Sequence, residues 1–177
     1  LIPMVKKIIE EFRLDGMDDG DIYIMNDPYM GGTHLPDIAL VMPVFSGGKL
    51  IAFSAAMTHH QDIGGMSPGS VPTNATEIFQ EGIRIPPLKY SSKGIINDTL
   101  LKLLKLNVRL PDSFQGDLNA QIAACEIGRR RLCDLENRYG VETLKSIFSD
   151  LLNRSELMTR QAIQTLPDGS HSYVDYL

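Results

Sequence analysis

"IALVMPVFSGGKLIAFSAAMT", residues 38–58, is the stretch on which the fold turns. Two apolar runs, 38–45 and 50–58, flank Ser46-Gly47-Gly48-Lys49. Adjacent glycines between two such runs mark a tight β-hairpin, because the turn that matches strand twist needs positive φ. Antiparallel strands are therefore predicted over 38–45 and 50–58. Neither run alternates apolar with polar residues, so both faces of each strand are expected to be covered. A hairpin also brings the residues before its first strand and after its second to one edge. Those flanks are "NDPYMGGTHLPD" (26–37) and "HHQD" (59–62).

The flanks carry three of the four histidines. His34 and Asp37 are three residues apart, but Pro36 blocks a helix there. A flat strand would send the two side chains to opposite faces. They converge only on a turn, which Gly31, Gly32 and Pro36 favour. The hairpin then sets Asp37 beside His59. Two imidazoles and one carboxylate form a common ligand set for a catalytic divalent metal, with positions left open for water or substrate. The residues alone leave His59 and His60 as alternatives for the second imidazole. The other histidine and Asp62 are candidates for orienting a ligand or acting as general base. Gly64 and Gly65 suit backbone that turns tightly or approaches a ligand. The competing reading makes these residues hydrogen-bonded loop anchors. His171 stands apart and is expected to be solvated.

Working outward, residues 2–13 have helical apolar spacing, and 21–25 read as a short strand. Residues 59–87 form a long Gly- and Pro-rich loop. It carries Ile63, Met66, Val71, Ile78, Phe79, Ile83 and Ile85, too much apolar material for disorder, so an ordered, packed loop is expected. Within it Asn74, Glu77 and Arg84 are candidates for substrate contact, although salt bridges and caps account for them equally well. Helices are predicted over 97–108 (capped by Asn97), 111–139 (stopped by Gly140) and 141–166. The run after the turn at 167–169 alternates like a strand. The expected class is α+β: an antiparallel hairpin or sheet with a long ordered loop, then a helical, bundle-like segment. The divisions are 1–96, 97–166 and 167–177. A chain that opens with Leu1 inside a helical pattern and closes on an unpartnered strand is expected to be a segment of a longer polypeptide.

Composition narrows the function. The chain has 177 residues, 43% of them apolar, and a net charge of −5, enough for one core without disulfides. No basic stripe suggests nucleic acid; the Arg129–Arg131 run lies in an amphipathic helix pattern and reads as a solvated face. Cys125 and Cys133 lie eight residues apart on one predicted helix. That is roughly 12 Å along its axis, beyond disulfide reach. A reducing, cytoplasmic setting is expected, and no stretch of about 18 apolar residues suggests a membrane span. No GxGxxG or P-loop supports nucleotide binding by these residues. Ser67 and Ser70 lack a nucleophile-elbow context.

Three stretches, in order, resemble the hydantoinase B/oxoprolinase family: "GDIYIMNDPYMGGTHLPDIALVMPVF" (20–45), "THHQDIGGMSPGSVPTNATEIFQEGIRIPPLK" (58–89) and "NVRLPDSFQGDLNAQIAACEIGRRRL" (107–132). The family includes alpha subunits of acetone and acetophenone carboxylases, and its subunits are much longer than this chain. The resemblance implies a subunit that carries a divalent metal (Zn, Mn or Fe). It also implies a partner A-type subunit that binds ATP and phosphorylates a carbonyl or enol oxygen of the substrate, hence a hetero-oligomer. It places the metal on His34, Asp37 and His59, and leaves His60 and Asp62 near the site to handle protons. Leu35-Pro36 between the His and Asp, and HHQD in the second cluster, look more like the hydantoinase side of the family. The expected activity is ATP-dependent hydrolysis of a cyclic amide such as a hydantoin, oxoproline or a related lactam. Ketone carboxylation is the alternative, and a non-catalytic structural or interface segment is the second.

Overall fold

The computed structural model describes residues 1–176. Five strands form one antiparallel sheet in the order β3-β2-β1-β4-β5: β1 Ile22–Met25, β2 Asp37–Ser46, β3 Lys49–His59, β4 Leu88–Ser92 and β5 Ile95–Ile96. Helix α1 (Ile2–Phe12) precedes them, and α2 (Asp98–Leu106), α3 (Pro111–Tyr139) and α4 (Val141–Gln164) follow. The α+β class holds, and the central hairpin lies where its turn signal put it. Gly47 and Gly48 take φ of 55° and 74°, the paired positive values of a tight hairpin turn. The sequence reading omitted β4 and β5, which are five and two residues long and too short for a clear period.

Parity along the strands divides the core into two clusters. Ile22, Ile24, Ile38, Leu40 and Met42 face one way, against Leu104, Val108, Phe114, Leu118 and Cys125. Tyr23, Met25, Ala39 and Val41 face the other way, against Met4, Ile8 and Met17. Strand β2 is thus covered on both faces, as its unbroken apolar run demands. Strand β3 is not: it forms the sheet edge and is mostly half-buried. Its small residues, Ala52, Ser54, Ala55 and Ala56, suit an edge better than a core.

The helical part divides. Asn97 caps α2 by accepting from Leu100 N, as expected. Phe114, Leu118, Gln121 and Cys125, three or four apart, turn one buried stripe of α3 onto the sheet instead of onto a helical bundle. This compact unit runs from Leu1 to Asp134. Leu135–Leu177 is a second unit, in which Ile147, Leu151, Leu152 and Met158 of the α4 stripe are exposed. Residues 171–176 carry no strand; an alternating run becomes one only when a neighbour supplies a ladder, and Leu177 lies outside the described residues. No helix among the described residues is long and apolar enough to cross a membrane.

Asp21 anchors the start of β1 and is fully buried. Its carboxylate accepts from Lys89 Nζ (2.6 Å), the Tyr23 hydroxyl (3.0 Å) and the backbone N–H groups of Asp18 and Lys93 (both 3.0 Å). Burial alone would raise its pKa; Lys89 and the other donors outweigh that and hold it below the usual range. A depressed native pKa gives stability that is present above the unfolded value of about 3.9 and lost as pH falls through the native one. Asp21→Asn is therefore expected to cost about 2 kcal/mol at neutral pH. In denaturant melts the gap from wild type should close in acid; a constant gap would assign the loss to shape instead of charge.

Candidate metal centre

The His34–Asp37 segment is a turn. Asp37 N donates to His34 O at 3.0 Å, and the peptide bond to Pro36 is trans. Gly32 lets the chain pass close enough to enter it: a Cβ there would meet Asn26 O at 2.7 Å and Asp27 O at 2.9 Å, both backbone atoms. Asn26, fully buried, staples the turn to the far end of the long loop. Its Nδ2 donates to Leu35 O (2.7 Å) and Ile83 O (2.9 Å), and its Oδ1 accepts from Ile85 N (2.7 Å). Reading by residue type missed this role, although Asn26 heads the quoted stretch.

One residue in β3 selects the histidine. Ser46 pairs with Lys49 and Phe45 with Leu50, but Val44 pairs with Ala52, leaving Ile51 as a bulge. Beyond the bulge the register sets Asp37 opposite His59. Directly opposed residues share a face. Were Ile51 to pair with Val44 in unbroken register, the partner of Asp37 would be Thr58, and His60 would occupy the Asp37 face. The bulge brings His59 in and turns His60 away.

His34 Nε2 lies 3.4 Å from Asp37 Oδ2, and His59 Nδ1 lies 3.3 Å from Asp37 Oδ1. The imidazoles meet edge to face with centroids 5.0 Å apart. All three donor atoms lie within 4.8 Å of one another. Ligand atoms on a tetrahedral ion at 2.0–2.1 Å stand about 3.3 Å apart, so two imidazole nitrogens and a carboxylate at these spacings fit a divalent cation. The histidine side chains are about half exposed (52% and 53%), Asp37 only 14%. The cluster therefore opens to solvent from an anchored carboxylate, as a site that admits substrate must.

The two proton-handling candidates lie elsewhere. His60 is fully buried on the opposite face, its ring 5.0 Å from that of Phe114 and its Nε2 2.9 Å from Gln121 Oε1. Burial lowers its pKa, more than Gln121 and Asp117 restore it. Asp62 is buried too, and its oxygens are taken by Arg109 and by the backbone N–H groups of Gly64, Gly69 and Arg109. Backbone alternation turns His60 to the face opposite His59, and the Arg109 clamp engages the Asp62 carboxylate.

The long loop is ordered but only partly packed. Ile63 and Ile85 join the core, while Met66, Val71 and Phe79 are exposed. Arg84 spends its charge on Asp27 (2.7 Å) and lies over the rings of Tyr29 and Phe79. Cys125 and Cys133 are free; burial pushes the Cys125 thiol up to about 11, away from nucleophilic use.

The whole chain, residues 1–177, matches the hydantoinase B/oxoprolinase family. It is 37% identical over 98% of its length to the B-type subunit of a putative D-/L-hydantoinase from Pseudomonas sp. (strain NS671). It superposes on the crystal structure of ATP-dependent caprolactamase from Pseudomonas jessenii with a TM-score of 0.88 at 36% identity, covering 95% of this chain. It covers 29% of each of those two proteins, under a third of their length. Acetophenone carboxylase of Aromatoleum aromaticum (strain EbN1) is 31% identical over 98% of this chain and 26% of its own. That match is to the delta subunit. The chain belongs to the hydantoinase B/oxoprolinase family.

Proposed function

We propose that this chain supplies the metal-bearing part of an ATP-dependent cyclic-amide hydrolase, working beside a nucleotide-binding A-type subunit in a hetero-oligomer. The observation that carries the reading is the convergence of His34, Asp37 and His59 at one open sheet edge. The likeness to proteins named as a hydantoinase subunit and a caprolactamase supports the substrate class. His34, Asp37 and His59 would hold the ion, with zinc, manganese and iron all suited to this donor set. A bound ion supplies Lewis acidity toward a carbonyl oxygen. The chain itself anchors Asp37 through the turn, leaves both imidazoles accessible and closes the rear of the site with the Asn26 staple. Proton transfer falls to groups other than His60 and Asp62. ATP binds on the partner, consistent with the lack of a phosphate loop in this sequence.

Carboxylation of a ketone is the second reading, favoured by the acetophenone carboxylase likeness. The intact protein, assayed with its A-type partner, is expected to open a hydantoin, 5-oxoproline or caprolactam ring only when ATP is present. Bicarbonate-dependent carboxylation of acetone or acetophenone without ring opening would establish the second reading. Wild-type protein that takes up no Zn²⁺, Mn²⁺ or Fe²⁺ would make the histidines loop anchors.

A further inference from the structure

We infer that Gln121 and His60 are positioning residues that set the His34–Asp37–His59 cluster from the opposite face of the sheet; this rests on reading that cluster as the ligand set. Gln121 lies on the buried stripe of α3 and is 2% exposed. Its Nε2 donates to Ile38 O at 2.9 Å and Ala56 O at 3.3 Å. With Nε2 occupied by two carbonyls, Oε1 faces His60, so the bond at 2.9 Å is donated by His60 Nε2–H. Ile38 follows Asp37 directly, and His60 follows His59. A single amide thus holds the neighbour of one proposed ligand on β2, the neighbour of another after β3, and the backbone of β3 between.

The chemistry of the pair argues against simple core filling. Two donors and one acceptor at one point are available from a carboxamide and from no hydrocarbon side chain. His60 Nδ1 is buried without a hydrogen-bond partner among the described residues, with Asp117 Oδ2 4.0 Å away. Such an atom costs stability that a hydrocarbon side chain at position 60 would not. A local conflict of this kind belongs where geometry matters more than stability. Here it lies directly behind the cluster, at the open end of the hairpin, where β3 is the edge strand of the sheet among the described residues.

Cobalt(II) tests this, because its visible spectrum reports ligand geometry as well as occupancy. Gln121→Met keeps the volume and removes the three bonds; His60→Phe keeps the packing on Phe114 and removes one. Each variant is expected to bind Co²⁺ between about ten- and a hundredfold more weakly than wild type, with an altered spectrum. His60→Gln, which restores an N–H donor, should recover much of the affinity. Variants that melt lower yet bind Co²⁺ with wild-type affinity and spectrum would overturn the inference and leave the ligand set standing. Failure of wild type to bind Co²⁺ would overturn the ligand set, and the inference with it. If Gln121→Met does not fold, His60→Phe and His60→Gln decide the matter alone.

Discussion

Asp37→Asn is expected to weaken divalent-cation binding by at least about a hundredfold, ~2.7 kcal/mol, while leaving the fold intact. Asp37 is the only anion in the cluster and the only member in ion-pair range of both others, at 3.4 Å from His34 and 3.3 Å from His59. Asparagine keeps the shape but exchanges a charged oxygen donor for a neutral one. The fold should survive because the anchoring is by backbone: Asp37 N bonds His34 O, and the β2–β3 ladder continues on one side. Thr33 Oγ1, which donates to Asp37 Oδ2, can donate to the amide oxygen instead. His34→Ala should lose affinity too, since it deletes a ligand outright, and its half-exposed ring leaves no cavity. Calorimetric titration with Zn²⁺ and a thermal melt on the same samples would check both. Undiminished affinity in Asp37→Asn would mean that the ion, if any, is held elsewhere.

Much of this site was legible in the sequence, for a reason that also marks the limit. A glycine pair between two apolar runs fixes a hairpin, and a hairpin fixes which distant residues share an edge. Topology alone therefore brought 34–37 and 59–62 together. It could not choose between His59 and His60, because that choice depends on whether the count between turn and edge is even or odd. Ile51 alone changes the count, and nothing in "KLIAFSAAMT" marks it as the bulged residue. The family resemblance selected His59 where spacing could not. Hydrogen-bonding roles were less legible still. Asn26 and Gln121 act on backbone groups 59 and 83 residues away at their furthest, Arg109 acts on Asp62 47 residues away, and no local pattern encodes such partners. The helices were found, but that α3 packs on the sheet was not legible, because an amphipathic stripe does not say whether a sheet or another helix will cover it.

Asp62 shows how a chemically apt residue can be fully committed elsewhere. It lies three residues past His59, a position from which a general base could serve the cluster. Its carboxylate instead accepts from Gly64 N (3.0 Å), Gly69 N (3.1 Å), Arg109 N (3.0 Å) and Arg109 Nη1 (2.9 Å). Burial would raise its pKa, but these donors hold it below the usual carboxylate range. A base needs a free lone pair and a pKa near the working pH; Asp62 has neither. Arg109 extends the clamp to the carbonyls of Gly64, Gly65 and Ser67, tying the 59–87 loop to the α2–α3 linker. Asp62→Ala leaves three N–H groups and a guanidinium without their acceptor. Removing one partner of a buried pair costs about 3–5 kcal/mol; with Arg109 38% exposed, the low end, about 3 kcal/mol, is expected. The loss should be complete at neutral pH and shrink in acid, because a depressed native pKa gives stability that is full above the unfolded value and lost as pH falls through the native one. Proteolysis within 64–82 should quicken, whereas Zn²⁺ affinity should fall far less than in Asp37→Asn, since the hairpin ladder holds Asp37 and His59 without the loop. A general base would leave the opposite trace: wild-type melting, intact metal binding and turnover abolished with its acid limb. Denaturant melts, limited proteolysis and metal titration of Asp62→Ala beside wild type distinguish a clamp from a base.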